Sequence, residues 1–376
     1  MTNMNPSPPD QTTAPAVNQP ERPPLRSVHT TSFPLLLDQL RASVAVTTYQ
    51  AGRLVFLRTD QGVLNTHFRV FDQPMGLATR DNRLAIGTAQ TIWEFINVSA
   101  VSRRLEPPGK ADACYMPLHT HITGNIHIHE MAFANDELWF VNTTFSCLCT
   151  RSPDASFAPR WRPPFISALT PEDRCHVNGL CLVNGQPRYV TAHGEADTPA
   201  GWREHKKAGG ILIDVPANRV VTRNLSMPHS PRWHQGRLWV LNSGIGGIGT
   251  IDLDSGRYQP LAELPGFTRG LDFVDNLAFV GLSQVRESAV FSGIPLVDRF
   301  PERNCGVWVL DIRTGKTVAF VKFEDALQEI FAVQVLPGIR FPDLINDQLD
   351  LIGSTYVLPD AAMTDVPETL HPTAPG

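Results

Sequence analysis

The chain has 376 residues, 42% hydrophobic and 18% charged, with a formal charge of −5: a globular composition with room for a large core. The negative balance and scattered Lys and Arg exclude a broad nucleic-acid footprint, so nucleic acid is not an expected partner. No apolar run approaches the roughly 18 residues that span a bilayer, and no charged-then-apolar leader opens the chain, so a soluble, cytoplasmic protein without a membrane partner is expected. The six cysteines are scattered through a chain too large to need stapling and are read as reduced thiols.

In chain order, residues 1–30 hold seven prolines and few aliphatics, a composition that cannot bury enough apolar surface to offset its chain entropy; they read as a disordered tail. The stretches around 34–42 and 324–329 are the expected places for short helices. Otherwise the chain is a series of short apolar runs separated by turn chemistry: SVAVTTYQAGRLVFLRT, GLATRDNRLAIGT, MAFANDELWFVNT, GLCLVNGQPRYVTA, PRWHQGRLWVLNS and GLDFVDNLAFVGLS. Each joins two strands rich in Leu, Trp, Val and Phe through a turn of Asp, Asn, Gly or Gln, which is a β-hairpin signature. The segment 346–376 reads as a C-terminal extension, partly disordered.

Aligned on their cores, the hairpins place Gly76, Met131, Gly179, Pro231 and Gly270 in register, 55, 48, 52 and 39 residues apart. Units of about 40 to 50 residues with four strands each predict a single all-β domain over residues 31–345, a β-propeller with six blades expected. Five or seven also fit, because the segments 103–126 and 144–171 are long and irregular. A sixth register start, EIFAVQV at 329–335, has no full blade after it. It is expected to supply the inner strand of the blade formed by the N-terminal SVAVTTYQAGRLVFLRT, which leaves no free sheet edge.

The first strand of each blade lines the central channel, so residues just before it gather at one mouth. Register brings His129, His176 and His229 there from three successive blades, with Glu130, Asn178, Arg269 and Glu329 nearby. His127 alternates with His129 as on a strand and so shares its face. Three neutral nitrogen ligands suit a divalent transition metal (iron, copper or zinc) with a position open for substrate, while a carboxylate from Glu329 or Glu130 carries a proton and Arg269 orients an anionic or carbonyl group. A blade-start histidine can equally serve by bonding a neighbouring backbone carbonyl. His193, His205 and His234 read as structural or solvated. The insertion HGEADTPAGWREHKKAGG, 193–210, with Trp202 and Arg203, has the composition of a loop that covers the mouth and meets an anionic or peptidic ligand. Arg286 and Glu287 read as a salt-bridged turn.

The runs SMPHSPRWHQGRLWVLNSGIGGIGTID, LPGFTRGLDF, AFVGLSQVRES, CGVWVLDIRTG and EIFAVQVLPG resemble the bacterial TIGR03032 family, which contains a domain of unknown function, DUF4915. The resemblance covers about 32–342 and implies kinship without an activity. More distantly, the blade pattern is similar to six-bladed enzymes of the gluconolactonase and strictosidine-synthase group and to peptide-amidating lyases, which implies a metal on the channel axis. The lactonase group's Glu/Asn/Asp ligands are not the pattern here.

The expectation is a metal-dependent enzyme acting on a small carbonyl-bearing or peptidic substrate, by hydrolase or lyase chemistry or by oxygen-dependent hydroxylation. The other reading is a non-catalytic scaffold that binds a peptide, glycan or partner protein.

Overall fold

Six hairpin units have strands too short to be stable alone, and each hides its apolar faces only by stacking on its neighbours. The structure, a computed structural model, describes residues 25–285 and 293–367, and within them the strands form six sheets arranged as propeller blades. The blades begin at the registered positions: Leu77–Arg80, Met131–Ala134, Val177–Val183, Pro228–His234 and Phe267–Val274 are innermost strands, each followed by three further antiparallel strands.

The sixth blade closes the ring as expected. Val333–Pro337 pairs with Ala42–Thr48, which continues into Arg53–Asp60 and Val63–Val70, so the inner strand comes from the C-terminal side and the other three from the N-terminal side. Val44, Val46, Val55 and Leu57 of this blade pack with Val307, Val309, Val333 and Val335 in one continuous apolar cluster, which buries the seam between the fifth and sixth blades.

Two expectations, on the N-terminal tail and on the helices, need correction. The N-terminal tail ends sooner than residue 30, because Ser27–His29 pairs with Lys316–Phe323 as a fifth, outermost strand; residues 1–24 lie outside the described residues. Within the extension, Leu349–Gly353 and Asp360–Met363 are short helices, and Pro342–Leu344 just before it pairs in parallel with Ala113–Ile122 on the first blade's outer edge. The expected helix near residue 34 is present as Ser32–Leu40, but 324–329 is not helical, and Ser99–Ser102 and Pro295–Arg299 form helices that composition did not flag. The expected turn at Arg286 and Glu287 lies outside the described residues. All six cysteines are free and buried. No helix among the described residues is long and apolar enough to cross a membrane.

Candidate functional site at the channel mouth

Residues entering the innermost strands meet at one end of the channel, around a cavity of about 290 Å³. His127, His129, His176 and His229 all line it, with Trp202, Arg203, Arg269 and Glu329. The register argument thus delivers the histidines, but not through regular strand alternation. His127 and His176 have positive φ, 51° and 55°, and the second blade's strand starts only at Met131, so turns aim these rings.

His193, expected to be structural or solvated, is buried and completes the row. It lies just past the end of Gln186–Ala192, the second strand of its blade, and stands between His176 and His229. Ring centroids are 4.8 Å apart for His129 and His176, 4.4 Å for His176 and His193, and 4.9 Å for His193 and His229. The three histidines expected from register therefore occupy an arc with a fourth inserted.

The Nδ1 atoms are fixed by the protein. His129 Nδ1 donates to the carbonyl of His127 at 3.0 Å and lies 2.9 Å from the Thr143 hydroxyl. His229 repeats this device one hundred residues later, with the carbonyl of Met227 at 2.9 Å and the Ser243 hydroxyl at 3.0 Å. His176 Nδ1 lies 2.9 Å from both carboxylate oxygens of Asp173. A carbonyl or carboxylate only accepts, so Nδ1 carries a proton in all three, and Nε2 is the nitrogen left facing the cavity side. Those Nε2 atoms have no hydrogen-bond partner among the described residues. His127 bonds Thr144 Oγ1 at 3.1 Å, and both ring nitrogens of His193 lack a hydrogen-bond partner among the described residues.

Burial sets the charge state. It pushes His129, His193 and His229 well below the ordinary imidazole range, and the Arg269 cation adds to the effect on each; His127 is lowered too, by burial and by His176. Arg269 lies flat over Phe331, 3.3 Å from the ring centre, and bonds Glu329 at 3.3 Å. Burial lowers its pKa to about 10 and raises that of Glu329, whose second carboxylate oxygen is buried without a hydrogen-bond partner among the described residues.

Two expected residues turn away from the cavity. Glu130 is bonded through both oxygens to Arg232, at 2.9 and 3.2 Å. Asn178 accepts from the Thr191 hydroxyl at 2.7 Å. Each follows its blade's histidine, by one residue and by two, and points into the protein rather than across the mouth. His119 and His121 sit on the first blade's fourth strand, where His121 bonds the carbonyl of Ser156. The insertion does reach the mouth, but Trp202 is 2% exposed: it packs 4.5 Å from His176 and 5.0 Å from His193 while donating to Asp173 at 3.0 Å. Arg203 stays exposed on the rim.

Fold and site together define a closed six-bladed β-propeller with an imidazole-lined cavity at one channel mouth. The chain belongs to the family of the domain of unknown function DUF4915, whose model matches residues 31–345. No curated protein matches it. Among solved structures it is similar to a chain of a Nidogen/Laminin complex, with a TM-score of 0.50 at 9% identity over 79% of this chain and 99% of that one. It is similar also to a protein of unknown function from Bacteroides caccae, with a TM-score of 0.50 at 8% identity over 78% and 98% of the two chains. At such identities the likeness concerns the fold alone.

Proposed function

We propose that the channel mouth is the active site of a metal-dependent enzyme, in which His129, His176 and His229 hold a divalent transition metal through Nε2. The observation that carries this reading is the shared anchoring: three imidazoles from three blades spend Nδ1 on the protein and keep a free Nε2 beside one cavity, the arrangement that outer partners impose on metal-binding histidines. Among the described residues no group of three or more His, Cys, Asp or Glu side chains is placed to hold a metal ion. Binding therefore requires the anchored rings to approach one another more closely than they stand here.

A nitrogen-rich set of neutral ligands fits iron, copper or zinc, and the bound ion would supply Lewis acidity, or oxygen chemistry if it is iron or copper. The chain's own groups do the rest. Arg269, which lines the cavity, would orient a substrate carbonyl or anion. Glu329, its pKa raised by burial, is suited to hold and release a proton beside it. Trp202, Phe331 and Tyr49 line the cavity with rings that exclude water from a small carbonyl-bearing or peptidic substrate. A scaffold that meets its partner through Trp202 is less well supported, because that ring is buried.

Titration of the untagged protein with zinc by calorimetry tests the reading. One site per chain is expected in the parent and none in a His129→Ala, His176→Ala double variant that keeps its circular dichroism. Equal binding by both would remove the histidines from the role.

A further inference from the structure

Resting on the metal reading above, we infer that Asp173 is the positioning residue of the site: its carboxylate fixes the His176 ring and ties the 193–209 insertion to it through Trp202. Asp173 precedes its blade's first strand and has φ 48°, as His176 has φ 55°, so two left-handed residues within four bend the carboxylate back under the imidazole. Asp is among the residues that tolerate this conformation. Its backbone N–H donates to the carbonyl of Thr144 at 2.9 Å, which holds the turn against the preceding blade.

Two side chains converge on the carboxylate: His176 Nδ1 at 2.9 Å from each oxygen, and Trp202 Nε1, donating to Oδ2 at 3.0 Å. No other ring of the row has such a partner among the described residues. His129 and His229 rest on carbonyls and hydroxyls, and His193 has no side-chain partner. A carboxylate behind a ligating imidazole fixes its tautomer and orientation and strengthens the ligand. Because the same carboxylate accepts from Trp202, which covers His176 and His193, placing the ligand and seating the insertion become one event.

The test uses the untagged, metal-stripped full chain with Co²⁺ as probe, read by its visible absorption and by competition with a chelator, and limited proteolysis of the 193–209 segment without metal. Asp173→Asn is expected to weaken Co²⁺ binding by about 10- to 100-fold and to speed cleavage of the segment. Trp202→Phe, which keeps an aromatic ring but removes the donor, is expected to speed cleavage with a smaller loss of affinity. Co²⁺ affinity of Asp173→Asn within about twofold of the parent would overturn the positioning role. Cleavage of Trp202→Phe at the parent rate would overturn the tie, even if Asp173→Asn failed to fold. A parent that binds no Co²⁺ would sink the metal reading and the ligand-positioning role with it, leaving the tie to be judged by proteolysis alone.

Discussion

His193 is 1% exposed, yet among the described residues neither of its ring nitrogens has a hydrogen-bond partner. An unmet buried polar group costs about 1 to 3 kcal/mol, a burden usually kept only where function needs it. His193→Phe should therefore raise the melting temperature of the metal-free protein; a fall of several degrees would contradict that. The same variant tests the charge state. His129, His193 and His229 have lowered pKa values, so below about pH 6.5 the unfolded chain takes up protons that the folded chain refuses, and stability falls as pH drops from that point. Glu130 and Glu329, with raised values, act in the opposite sense, adding stability as pH falls from the raised value towards their ordinary 4.5. The loss in melting temperature between about pH 7.5 and 5.5 should be smaller in His193→Phe than in the parent, and an unchanged loss would mean that this ring is not a buried neutral base. At this scale the sequence was legible only where register reaches. His129, His176 and His229 follow from the places they hold at or just before the first strands, whereas His193 follows a second strand and Asp173 acts through a turn that no spacing announces. Glu130 was misread as facing the mouth, because its partner, Arg232, stands 102 residues away and no spacing announces the pair.

Elements were easier to read, because a hairpin is encoded by neighbours in sequence: a polar turn between two apolar runs. The closing strand was legible for a different reason, namely that a leftover first strand and an N-terminal run of three need each other to avoid open edges. The N-terminal edge strand Ser27–His29 was not legible, since its pairing depends on the outer edge of a strand almost three hundred residues later. Closure also leaves a mark at Gly270, where φ is 80° and an added Cβ would stand 2.7 Å from the Val333 backbone nitrogen. Gly270→Ala should cost about 2 kcal/mol or more in denaturant unfolding, through both the left-handed backbone and the clash with the closing strand. A loss under about 0.5 kcal/mol would show that the fifth and sixth blades are not pressed together there.

Across the whole molecule, a ring closed by strands from both ends of the domain holds the channel-lining segments at fixed angles, so residues from three blades can act at one point. That geometry is what turns scattered histidines into a site, and anomalous diffraction from crystals of the metal-loaded protein tests it most directly. The account predicts an ion at the channel mouth about 2.0 to 2.2 Å from Nε2 of His129, His176 and His229. An ion bound elsewhere, or none at this mouth in crystals grown with excess metal, would contradict it.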